Sequence, residues 1–193
     1  DAARTLVRLF TEVGEQYLPA ILAQQPAWAV QLADGVLRGC AYSEPAIAEM
    51  TFNFWYMLAE ELAGSGRALP FEQRAEVCAR FGPVFLSLLR AFRTLAEFPA
   101  HSESMQDDER DEQRRFRYAL GDAITDVCKV LSSVRCIEEC FGALQERLPA
   151  LAADANGAWR SIEVCVFCAR QMISSNEPSF LEAAVVRQLL ALP

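Results

Sequence analysis

Two cysteine pairs carry the spacing that metal or redox chemistry would need. Cys136 and Cys140 stand four positions apart, and Cys165 and Cys168 three apart. On helices each pair would share one face, and four thiolates suit tetrahedral zinc. Metal knuckles, however, sit on turns with glycine and polar flanks, whereas these pairs lie inside apolar helical stripes. The adjoining Glu138-Glu139 also disfavours thiolate. The pairs therefore read as buried, protonated core cysteines, and no metal or cofactor is expected. His101 is the single histidine and has no cysteine or serine nucleophile near it in sequence. No GxSxG turn, P-loop, Gly-rich dinucleotide turn or HExxH occurs. Carboxylate pairs such as Glu60-Glu61 fall on a solvated helix face. No catalytic residue is assigned, and no enzyme activity is expected.

Charge is more informative. Glu103, Asp107, Asp108, Glu109, Asp111 and Glu112 set six acids against one base, Arg110, within ten positions. Like charges disfavour self-packing, so the segment either stays available to a cationic partner or is a solvated surface insertion. Arg114, Arg115 and Arg117 follow, and positions 110, 114 and 117 share a helical face. They would either make bidentate contacts with phosphoserine or an acidic segment, or pair with the neighbouring acids. Phe52, Phe54, Trp55 and Tyr56 form an aromatic cluster. At about 100° per residue these rings cannot all face one way, so they read as core packing between neighbouring helices.

The elements that must carry these residues are helical. The chain has 193 residues, 52% apolar and 23% charged, enough to fold around a sizeable core. Its net charge of −8 excludes a chain-wide basic footprint for nucleic acid or anionic membrane. No apolar run is long enough to cross a membrane, and the N-terminus does not read as a signal peptide. It begins inside an amphipathic pattern, as a piece of a longer protein would. Seven cysteines, an odd number, fit reduced thiols rather than a secreted disulfide framework.

Helical periodicity runs almost throughout. The first stripe is Leu6, Leu9, Phe10, Val13 and Tyr17, with Pro19 expected to end or kink the helix. Helices are predicted from Pro26, from Pro45 with Ser43 as N-cap, and from Pro70 with a kink at Gly82-Pro83. Residues 99–109 have no periodicity and, with the acids that follow, give an acidic inter-helix loop over 99–112. A fifth helix carries Phe116, Leu120, Ile124, Val127 and Leu131. A sixth carries Ile137, Phe141, Leu144 and Leu148 and ends at Pro149, followed by a linker to residue 157. The seventh carries Trp159, Ile162, Val166, Ala169 and Ile173, and an eighth begins at Pro178. Alternate helices start near 26, 70, 134 and 178, at intervals of 44, 64 and 44. An interval of 44 suits two-helix repeats of roughly 40–47 residues. The predicted fold is all-α: a right-handed α–α superhelix, a HEAT/ARM-type solenoid of about four hairpins with one acidic loop insertion. Residues 1–193 would form a single block. A closed helical bundle is the alternative.

The run Thr51-Phe-Asn-Phe-Trp-Tyr-Met-Leu-Ala-Glu-Glu-Leu62 is the most distinctive stretch. With Leu9-Phe-Thr-Glu-Val-Gly-Glu-Gln-Tyr-Leu18 upstream, it resembles the middle of the transportin-SR group of the importin-β (karyopherin-β) superfamily of nuclear import receptors. The order of helices around the acidic segment fits as well, over essentially the whole chain. The resemblance implies a non-enzymatic receptor that shuttles between cytoplasm and nucleus and contacts phenylalanine-glycine nucleoporins. It implies protein cargo such as serine/arginine-rich splicing factors, released when GTP-bound Ran binds. It further implies that Glu103, Asp107, Asp108, Glu109, Asp111 and Glu112, with Arg110, Arg114 and Arg117, are candidates for contact with Ran or cargo. The alternative function is a Ran-independent HEAT-repeat scaffold or adaptor.

Overall fold

The computed structural model describes residues 2–173 except 43, 65, 67 and 154, and describes no side chains over 151–157. The helix expected from Pro178 and the N-cap expected at Ser43 lie outside the described residues. Among the described residues every regular element is a helix. They are α1 (Ala2–Gln24), α2 (Pro26–Cys40), α3 (Pro45–Glu49), α4 (Phe52–Ala63), α5 (Phe71–Ala96), a 3-10 turn (Ser102–Ser104), α6 (Asp107–Leu131), α7 (Ser133–Ala153) and α8 (Ala155–Ile173).

The helices stack in two layers. In one, α1 packs on α4, α4 on α6 and α6 on α8; in the other, α2 packs on α5. Arg90 of α5 reaches Glu139 of α7 at 2.6 Å, which extends the second layer. Sequential helices α1 and α2, α4 and α5, α6 and α7, and α7 and α8 cross between the layers. This is an all-α helical-repeat solenoid. Interior helices are sandwiched between neighbours, which is why α4 is apolar around most of its girth.

Aromatic residues of α4 knit the layers together. Phe54 meets Trp55 edge-on at 5.1 Å, and Trp55 meets Phe85 of α5 at 5.8 Å. Phe52 bridges Phe92 of α5 at 5.6 Å and Phe116 of α6 at 6.2 Å. The core reading of the cluster therefore holds for Phe52, Phe54 and Trp55. Tyr56 is exposed, with the Lys129 ammonium 5.3 Å from its ring centre. Gly14 permits this packing, because a Cβ there would collide with the Phe54 ring.

Several boundaries differ from the sequence expectation. Pro19, Pro83 and Pro149 lie inside continuous helices. A mid-helix proline costs about 3 kcal/mol; fully buried Leu18 and Leu22 on the flanks of Pro19 offset it. The linker expected after Pro149 is helical over 150–153 and again from Ala155. The single helix expected from Pro45 breaks between Glu49 and Phe52. There the buried Thr51 hydroxyl donates to the Ala48 carbonyl at 2.7 Å and satisfies the break.

Most of the stripe expected to be buried on α1 faces out, although Phe10 is half-buried against the core. Leu6, Leu9, Val13 and Tyr17 are exposed, whereas Val7, Thr11, Gly14, Leu18 and Leu22 are buried. At α8 the expected stripe is divided: Val166 and Ile173 are exposed, Trp159, Ile162 and Ala169 are half-buried, and the fully buried positions are Val164, Cys165, Cys168 and Met172. Both helices carry two apolar-compatible faces. Packing favoured the face whose small residues allow close approach.

Candidate functional site

The acidic segment divides into a loop and a helix start. Residues 97–106 join α5 to α6 and contain the 3-10 turn. Asp107, Asp108 and Glu109 form the first turn of α6, and Asp111 and Glu112 the second. The acidic loop expected over 99–112 is therefore helical from 107. Carboxylates at a helix N-terminus interact favourably with its unpaired N–H groups, and the Glu109 carboxylate accepts from the Gln106 N–H at 2.9 Å. The first two turns are exposed on nearly all sides, so they carry no apolar stripe that sequence periodicity could detect.

The arginines expected to share a face have different surroundings. Arg110 donates to the Glu103 carbonyl at 3.2 Å and lies 4.0 Å from Asp107. Arg114 pairs with Asp111 at 3.1 Å. Both are exposed and tie the helix start to its own acids. Arg117 is buried, which corrects its candidacy for partner contact. Its guanidinium donates to Glu163 of α8 at 2.6 and 3.0 Å and to the Ala96 carbonyl at the end of α5 at 3.0 Å. It also lies 4.2 Å from the Phe98 ring centre and 4.1 Å from that of Phe167. Arg117 thus braces α6, the end of α5 and α8. Glu163 lies 46 positions away, so no local spacing signals the pairing.

A groove of about 1010 Å³ runs beside this helix start. Glu49 of α3, Glu97 at the end of α5, and Glu109 and Glu112 of α6 supply its carboxylates. Leu95, Pro99, Met105 and Phe116 supply apolar surface, and His101 and Arg115 also line it. Asp107, Asp108 and Asp111 project elsewhere. Sequence reasoning missed Glu49 and Glu97, since each is an isolated acid on a separate element.

The cysteines pair differently from their spacing. All seven are free, and six are buried. Cys136 meets Cys128, and Cys140 meets Cys168. Burial pushes the Cys40 thiol up to about 12. Hydrogen bonding to Cys140, followed by burial, holds Cys168 well above its ordinary value. Among the described residues no three His, Cys, Asp or Glu groups converge as a metal-holding set.

Fold and surface together define an all-α helical-repeat segment with charged groups on exposed ridges and in an open groove. Comparison with known proteins supplies the particular lineage. Residues 1–93 match the family described as the Transportin-3/Importin-13 second TPR domain. The whole chain aligns with Transportin MOS14 of Arabidopsis thaliana at 28% identity over 202 aligned positions, covering 20% of that protein. It also aligns with mRNA transport regulator MTR10 of Saccharomyces cerevisiae at 21% identity over 192 positions, covering 18% of it. The family resemblance drawn from the sequence is borne out: the matching family model and both relatives are of the transportin and importin kind, and the relatives align along the entire chain. The chain spans about a fifth of the length of the curated relatives it matches.

Proposed function

We propose that this segment belongs to a nuclear import receptor that binds protein cargo and releases it when GTP-bound Ran binds. The observation that carries the reading is alignment along the entire chain with a transportin and an mRNA transport regulator. A solenoid suits the task, because adjacent repeats flex by small rotations and can couple two distant binding events. Cargo of the serine/arginine-rich class and phenylalanine-glycine nucleoporins are the expected partners, with shuttling between cytoplasm and nucleus. The protein acts by binding and performs no chemistry on its cargo.

Within this segment, Glu103, Asp107, Asp108, Asp111 and Glu112 are proposed to meet a basic partner surface. Asp107 is fully exposed, and Arg110 and Arg114 hold the helix start in shape behind the acids. The test is a pull-down with GTP-locked and GDP-bound Ran. The baits are the full-length receptor carrying this segment and a variant with Asp107→Asn, Asp108→Asn, Asp111→Asn and Glu112→Gln. The reading expects preference for the GTP form and weaker capture by the variant. Equal capture of both nucleotide states would favour a Ran-independent scaffold.

A further inference from the structure

We propose that the groove between α3, the end of α5 and the start of α6 is a docking site for a basic polypeptide segment with an apolar anchor. Four carboxylates and a single arginine line it, so its local charge is strongly negative. Glu49, Glu97 and Glu112 have no ion-pair partner among the described residues, in contrast to Asp107 and Asp111, which lie against arginines. All three line an open concavity.

The distribution of the acids fits a chain better than a point charge. They come from three separate elements, which suits several cationic side chains spaced along an extended segment. Between them lie half-buried Leu95, Pro99 and Met105, over a floor formed by Phe116. Such a floor rewards burial of one apolar side chain, at about 25 cal/mol per Å² removed from water. Basic residues at the rim would then set register and association rate. Nucleic acid and anionic lipid are repelled by the same carboxylates.

This inference does not depend on the receptor reading. Neither Ran nor its nucleotide state enters it, so a Ran-independent scaffold could carry the same site.

The test is fluorescence anisotropy with a labelled nonapeptide bearing two arginines on each side of a central leucine, titrated with the full chain. Saturable binding that weakens as salt rises from 50 to 300 mM is expected. Glu49→Lys with Glu112→Lys should weaken it at least tenfold. Glu72→Lys with Glu138→Lys changes the net charge equally at exposed positions outside the groove, and should change affinity less than twofold. Replacing the leucine by serine should weaken binding severalfold. Circular dichroism verifies that each variant retains its helices. Equal loss from both charge reversals would reduce the effect to attraction by the chain's net charge and overturn the proposal. Absence of saturable binding to the folded wild type would overturn it too.

Discussion

Arg117 of α6 and Glu163 of α8 form a two-pronged ion pair, with N–O distances of 2.6 and 3.0 Å, flanked by the rings of Phe98 and Phe167. The same guanidinium closes the end of α5 through the Ala96 carbonyl. One side chain therefore fixes where α5 stops, how the 97–106 loop leaves it and how α8 seats on α6. Replacing Arg117 with alanine should destabilise the chain by about 2–3 kcal/mol. That is below the full cost of breaking a buried pair, because Glu163 keeps part of its side chain in water. Arg117→Lys should recover less than half, since an ammonium reproduces neither the fork nor the stacking. Urea unfolding of both variants and of Glu163→Gln measures this, and a double-mutant cycle isolates the pair.

Ser132, the single residue between α6 and α7, has φ 72° and ψ 147°. A side chain there is strained, and glycine would relieve the strain. The Ser132 hydroxyl accepts only a long 3.4 Å bond from the Arg135 N–H, so little is lost with it. Ser132→Gly should stabilise the chain by about 1 kcal/mol. Thermal unfolding should show a higher midpoint, and an unchanged or lower one would contradict the strain.

Glu139 accepts 2.6 and 3.1 Å bonds from Arg90, and these hold its carboxyl below the ordinary carboxylate range. For an acid whose folded value is depressed, the stabilisation is present above its ordinary value. It is lost as pH falls through the folded one. Stability should therefore decline as pH drops below about 4.5. Glu139→Gln should flatten that acid limb while altering the neutral plateau less. Half-buried Asp126 runs the other way, its carboxyl raised by burial, and sets an opposing slope. Denaturant midpoints measured at intervals from pH 3 to pH 7 resolve the two.

Leu6, Leu9, Val13 and Tyr17 present an exposed apolar stripe along α1. Such a stripe should drive weak, concentration-dependent self-association. Sedimentation equilibrium should show the apparent mass rising with concentration. Leu9→Glu with Tyr17→Glu should abolish the rise, while concentration-independent monomer behaviour of the wild type would contradict it.

The helical class, the Pro26 and Pro45 starts and the interior stripes were legible because a sandwiched helix repeats its apolar residues at 3.6. Phe81, Phe85, Leu88 and Phe92 on α5, and Phe116 through Leu131 on α6, are buried as their spacing requires. Legibility failed where two faces competed. On α1 the larger side chains marked one face, yet the face with Thr11 and Gly14 packed, because glycine admits the Phe54 ring. It failed again at Pro19 and Pro83, where tertiary burial outweighed a local penalty, and at Pro149, where the helix also continues. The acids at 103–112 were visible as a charge run, but their division between loop and helix was not. Arg117 resembled its exposed neighbours in spacing alone. Its burial depends on Glu163, Phe98 and Phe167, which no local pattern connects. Glu49 and Glu97 gain their significance only from the groove that folding assembles.

The proposed function requires reciprocal coupling between Ran and cargo in the full-length receptor. The most direct measurement is cargo affinity of the full-length receptor with and without saturating GTP-locked Ran, using a serine/arginine-rich protein as cargo. The account predicts weakening of at least tenfold with GTP-locked Ran, little change with GDP-bound Ran, and an equal reciprocal effect of cargo on Ran affinity. Cargo affinity indifferent to Ran in either nucleotide state would contradict it.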